Sequence, residues 1–306
     1  MSHELATTID GRTAMAYAGE TPWHGLGQKL DSNATIADWA HAAGLDYNLE
    51  TCDVINGDIH VAGKKIIYRD DTKLGLSIVS DKYKVVQPTQ VLEFFERYVG
   101  GFAQIETAGV LYEGRRYWAL AKLDGEINVA GDITKPYLML ASSCDGSLAT
   151  QARLTTVRVV CNNTLQMANQ GKANVLVRHT SKFDADSVGD KLESISESLK
   201  LQAQMMKKLA KIKMDEAKAR AFLAKMFGTT SDALNRQATR IYELFDGQAI
   251  GSDQDSSKGT AYGLLQAATQ YYDWEGGRIQ SNRLQHAWFG DGADFKMQIA
   301  DELLTA

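Results

Sequence analysis

Five lysines in the C-terminal half recur at a spacing that can do chemistry: Lys200, Lys207, Lys211, Lys218 and Lys225. On a helix turning 100° per residue they fall within a ~40° sector of one face. Lys208, Lys213 and Arg220 add to the charge, and only Asp215 and Glu216 oppose it. A row of ammonium groups on a rod can follow a phosphate backbone, because each neutralised phosphate releases counterions. The same pattern also describes a solvated face opposite an apolar one. A helix break at Asp215 would destroy the alignment.

A second set combines guanidinium groups with aromatics on predicted strands. Arg115 and Arg116 stand beside Tyr112, Tyr117 and Trp118, and Arg153 and Arg158 flank a β-branched run. Arginine on a sheet can hold phosphates while neighbouring rings stack on bases. By the period of two, Arg116 and Trp118 share one face and Tyr117 points to the other. Aromatics that simply pack, beneath arginines reaching outward along their stems, give the same sequence.

Other constellations carry less. Cys161 lies in Cys161-Asn162-Asn163, where a thiol at a strand end would need a base, and no histidine is near in sequence. Its expected role is that of a small buried hydrophobe, with Asn162 and Asn163 capping a following helix or holding a turn. His24, His41, His60 and His179 have no metal-ligand spacing, so no metal and no cofactor is expected. Gly57 to Lys64 lacks the spacing of a phosphate loop, and no Ser or Thr follows its lysine. Trp23-His24-Gly25 is expected to anchor the N-terminal segment on the core.

The bulk composition bounds the class. The chain has 306 residues, 44% hydrophobic and 23% charged, with a net charge of −5, which fits a globular protein with no global field toward nucleic acid or membrane. Binding to a polyanion would therefore use a local patch. Three widely spaced cysteines and no C-x-x-C pair argue against a disulfide framework and favour a reducing, cytoplasmic setting. No apolar run approaches the roughly 20 residues that span a bilayer. No signal peptide is read at the N-terminus.

These residues must be positioned by the elements around them. The pattern predicts a short helix over residues 33–44, capped by Thr35 or Asn33 and closed by Gly44. Short strands follow at residues 65–69, 74–79 and 83–86, then a helix over 89–99 that Gly100-Gly101 ends. A hairpin joins 104–111 to 116–123, and a second strand pair joins 137–142 to 150–160. From residue 184 to 227 an amphipathic pattern predicts either one long rod or two helices broken near Lys213-Met214-Asp215, with Asp215 as a cap. Residues 231–245 continue helical, 247–259 read as a loop, and 260–274 as an apolar helix. The fold class expected is α+β: a mainly antiparallel sheet with helices in the N-terminal two-thirds, followed by a helical region with a long amphipathic helix. The expected division is residues 1–182 and 183–306, the second packing on or extending from the first.

Four motifs in order, Thr21-Pro22-Trp23-His24-Gly25-Leu26-Gly27, Tyr83 to Pro88, Val157 to Leu165 and Thr260 to Tyr271, resemble the phage/plasmid-like protein family. That family is carried by bacteriophages, plasmids and prophages, and the resemblance runs from about residue 2 to 304. It implies a mobile-element product in the bacterial cytoplasm and supplies no catalytic residue. In outline, strands and hairpins followed by a lysine-bearing helix are similar to the single-strand annealing proteins of phage recombination, which form rings or filaments around single-stranded DNA. The expected function is thus a non-enzymatic single-stranded DNA-binding or annealing protein acting as a homo-oligomer. Arg115, Arg116, Arg153, Arg158 and the five lysines would contact phosphate, and Tyr117 or Trp118 would stack on bases. A protein that binds a host factor is the alternative, followed by a hydrolase or transferase using Cys161.

Overall fold

A computed structural model describes residues 5–19, 25–158, 164–165, 174–181, 195–276 and 283–305. The order of elements begins β1 (Met15–Ala18), β2 (Gln28–Leu30), α1 (Ile36–Ala43), β3 (Leu49–Asn56), β4 (Ile59–Arg69), β5 (Gly75–Ser80) and α2 (Pro88–Phe102). It continues with β6 (Ala103–Leu111), β7 (Arg116–Leu123), β8 (Ile127–Val129), β9 (Asp132–Ser143), β10 (Thr150–Arg158), β11 (Thr164–Leu165) and β12 (Asn174–Val177). The helices α3 (Ile195–Leu209), α4 (Glu216–Phe227), α5 (Arg236–Glu243), α6 (Ala261–Gln270), α7 (Arg283–Phe289) and α8 (Asp291–Thr305) complete it. The fold class is the α+β arrangement expected, with helices concentrated in the C-terminal third.

The main sheet runs β11-β10-β9-β7-β6-β1-β2, with β12 on β10 and β8 on β9. All its pairs are antiparallel except β1 with β2. Both expected hairpins form: β6 pairs with β7 across the turn at Tyr112–Gly114, and β9 with β10. A separate sheet, β3-β4-β5, packs on one face of the main sheet together with α1 and α2. Alternation along β7 sends Tyr117, Ala119 and Ala121 into that core. The small alanines let α2 approach closely, where it buries Val91, Leu92, Phe94 and Phe95. Trp118 and Leu120 point to the other face, where Met15, Tyr137 and Met139 form a second core closed by Trp288 and Phe289 of α7.

Local signals explain the first helix. Thr35 accepts from Asp38 N–H while the Asp38 carboxylate accepts from Thr35 N–H, a reciprocal cap. Gly44 closes the end at φ 68°, with a Cβ-sized space already filled by Ala14 and Thr8. Two expectations shift. Helix α2 runs through Gly100-Gly101 to Phe102, although each glycine costs a helix about 1 kcal/mol. Tyr83–Val86 forms no strand: Lys84 N–H donates to His179 O at 2.6 Å and the Tyr117 hydroxyl donates to Val86 O.

Between residues 195 and 227 the helix is broken rather than continuous. Asp215 caps α4 by accepting from Lys218 N–H at 2.9 Å. The connection is held from outside, since Met214 N–H donates to Gly259 O and Ala261 N–H to Ile212 O, each at 2.9 Å. The polar run before Gly259 is irregular, as expected, and feeds α6 through the Thr260 cap. Ile127 and Val129 of β8 lie in the same core as Met206, Leu223, Ile241, Leu265 and Ile299, so the hairpin reaches into the helical part.

Candidate nucleic-acid interface

The structure disperses the residues expected to hold DNA. Tyr117 is 0% exposed and Trp118 is 1% exposed, on opposite faces of a strand covered on both sides. The Trp118 ring meets Trp288 edge to face at 5.0 Å between centroids. Neither ring can reach a base, and stacking by Tyr117 or Trp118 is corrected on that ground. Alternation assigned the two rings to the correct faces; covering of both faces by helices is a tertiary event.

Arg115 and Arg116 are tied into the fold. Arg115 Nε donates to Leu76 O at 3.0 Å, tying β5 to the end of the β6–β7 hairpin. Arg116 Nε donates to Ser147 Oγ at 3.1 Å, and its guanidinium lies 5.6 Å from the Tyr112 ring centroid. Arg153 stands opposite Met139 on the Trp118 face, and burial pulls its guanidinium below the ordinary value, with Asp294 of α8 opposing. Arg158 ends β10 opposite Thr134, whereas Arg116 pairs with Ser143. Along β9 those two partners are roughly 30 Å apart at 3.4 Å per residue, so the two arginines cannot share one contact. Trp23, His24, Cys161, Asn162 and Asn163 lie outside the described residues. Gly25 adopts φ 66°, a left-handed turn that its missing Cβ permits.

The lysines keep their exposure and lose their single row. Lys200 and Lys207 lie on α3, Lys211 in the connection, and Lys218 and Lys225 on α4, all exposed. Lys225 pairs with Glu302 of α8 and Lys218 approaches Asp215 at 4.0 Å. Lys208 Nζ donates to Leu304 O at 3.1 Å, a cation at the C-terminal end of α8. No described residue pairs with the ammonium groups of Lys200, Lys207, Lys211 or Lys213.

Two features had no clear sequence signal. One is a groove of about 670 Å³ between β3 and the segment Tyr83–Val85, with Gln90 at its side. The Gln87-Pro88 dipeptide is its one local clue, since a residue before proline is pushed to extended backbone. The other is the outer part of the β3-β4-β5 sheet, where Ile55 (59% exposed), Ile59 (67%) and Ile78 (62%) meet solvent. Among the described residues no three His, Cys, Asp or Glu side chains converge as a metal site. No helix among them is long and apolar enough to cross a membrane.

Fold and surface together define an α+β protein with lysines exposed on the neighbouring helices α3 and α4 and a separate three-stranded sheet. Residues 75–288 match the model of the domain of unknown function DUF932, and the chain belongs to that family. The match begins at the first residue of β5 and takes in three of the four motifs, leaving Thr21–Gly27 outside it. Comparison with curated proteins and with solved structures gives no match.

Proposed function

We propose that the chain is a non-catalytic single-stranded DNA-binding protein of a phage or plasmid, acting as a homo-oligomer in the bacterial cytoplasm and using the exterior of α3 and α4. One observation carries this reading. Over residues 195–227 eight lysines and arginines stand against three acids, on a chain whose net charge is −5. Four of the exposed lysines have no described partner to neutralise them. Because the set is split between two helices by the connection at residues 210–215, a flexible single strand follows it better than a duplex with its ~50 nm persistence length. With Tyr117 and Trp118 in the core, contact would be to phosphate and indifferent to sequence.

Fluorescence anisotropy with labelled oligothymidine and a matched duplex, across a salt titration, tests this. Neutralisation of four phosphates gives a slope of log K against log salt of about −3 for single strands. Joint reversal of Lys200, Lys207, Lys211 and Lys213 to glutamate should abolish binding. Absence of binding at about 50 mM salt would sink the reading. A second reading, a protein that binds a host factor, is favoured by the solvent-facing isoleucines at 55, 59 and 78 and by the acidic overall balance.

A further inference from the structure

The groove beside β3 runs along the outer main-chain edge of that strand. Asp70 N–H donates to Asn48 O at 2.9 Å, which fixes the parity of the β3–β4 ladder. Residues 48, 50 and 52 therefore bond to β4, while Leu49, Thr51 and Asp53 turn their N–H and C=O off the free edge. At Leu49 that edge is already occupied. Gln87 Oε1 accepts from Leu49 N–H at 2.8 Å, and Gln87 Nε2 donates to Leu49 O at 3.0 Å. A carboxamide is a peptide group in chemistry, and here it makes the two-point contact that a residue of a neighbouring strand would make.

Gln87 is itself held in place. Gln90 Oε1 accepts from Gln87 N–H at 2.7 Å, and Pro88 starts α2 directly after it. One glutamine side chain thus bridges the two walls at one end of the groove. Beyond Gln87 the space is open, with Leu49, Glu50 and Thr51 on one wall and Tyr83, Lys84 and Val85 on the other. No described residue bonds to the outward main-chain groups of Thr51 or Asp53. The ladder becomes irregular only past Asp53, where the register shifts.

We propose that this groove is a strand-addition site that takes one extended peptide segment of a partner protein. Its main chain would pair with Thr51 and Asp53, continuing the pairing that Gln87 begins, and apolar side chains would rest on Val85. A strand bringing its own hairpin mate, such as β3 of a second copy, would need the space that Tyr83–Val85 fills. The wall made by Tyr83, Lys84 and Val85 therefore selects an unpaired segment. This surface shares no residue with the lysines of α3 and α4, and the two can fail independently.

The probe is a panel of fluorescein-labelled octapeptides that alternate valine with threonine, lysine or glutamate, measured by anisotropy against the full chain. Saturable binding is expected, at least tenfold weaker for peptides N-methylated at alternate amides. Thr51→Pro removes an outward N–H that β4 does not use, so the variant should fold and lose binding to the same extent. Should that variant fail to fold, the N-methylated pair decides by itself. Failure of every peptide to bind up to about 1 mM overturns the proposal, as does binding that N-methylation leaves unchanged. The four-lysine variant should bind peptide as the wild type does.

Discussion

Lys296 of α8 donates its ammonium to the Asp273 carboxylate inside the helical core, where both side chains are shut off from water. Asp273 sits in the wide turn at residues 271–275 that extends α6, so the pair bolts the end of α6 to α8. Buried ions are costly to desolvate, and removing one of a pair leaves the other's charge less compensated. Lys296→Ala or Asp273→Ala should each cost about 3–5 kcal/mol, and the double change to Met and Leu should cost less than either single one. Urea denaturation of the three variants measures this. Additive losses would show that the two residues do not act as a pair.

His286 stands next to that pair. Burial holds its imidazole below the ordinary value; Lys296 adds to the effect and Asp291 opposes it. The Tyr272 ring lies 6.0 Å away, and Gly292 leaves no room for a Cβ against the imidazole. A depressed imidazole binds its proton more weakly in the folded state. Its contribution to stability is thus complete above the unfolded value of about 6.5 and is lost as acid protonates the ring. Stability measured in urea should fall from pH 8 to pH 5.5, with a shallower fall in His286→Gln. Equal slopes in the two proteins would rule the assignment out.

Trp118→Ala separates packing from recognition. Removing a fully buried indole should cost about 3–5 kcal/mol, read as a lower melting midpoint. DNA affinity of the folded variant should be unchanged, since the ring faces Trp288 rather than solvent. A selective loss of affinity at unchanged stability would restore a role in stacking.

The described cysteines should differ sharply in reactivity. Burial pushes the Cys144 thiol up to about 12, with Asp145 adding to the shift. Cys52 is exposed on β3. Peptide mapping after brief alkylation at pH 8 should find Cys52 modified and Cys144 protected until the chain is unfolded. Modification of native Cys144 would contradict its placement.

Much of the fold was legible where the determinants are local. Thr35, Asp38 and Gly44 write the first helix within ten residues, and Asp215 announces its own cap. The alternation that placed Tyr117 and Trp118 on opposite faces was also readable. What alternation does not carry is how many faces are covered: α2 and the small sheet close one side of β7, and α7 closes the other. Arginine next to aromatics therefore looked like a binding platform and turned out to be a hairpin clamp. Strand β3 escaped notice because Glu50, Thr51 and Asp53 interrupt its apolar pattern. The groove beside it depends on a contact 38 residues apart, between Leu49 and Gln87, which no window of sequence contains.

Ile127 and Val129 place a hairpin of the sheet inside the core of the helices, and Ser256 Oγ donates to Asp132 at the start of β9 at 3.2 Å. Melting of the helices would thus uncover the hairpin, and release of the hairpin would open a cavity among the helices. By linkage, whatever binds one part lends free energy to the other. Slowed amide exchange in β8 and β9 on addition of a ligand to the lysine face would be that coupling made visible, at a distance from the binding surface itself.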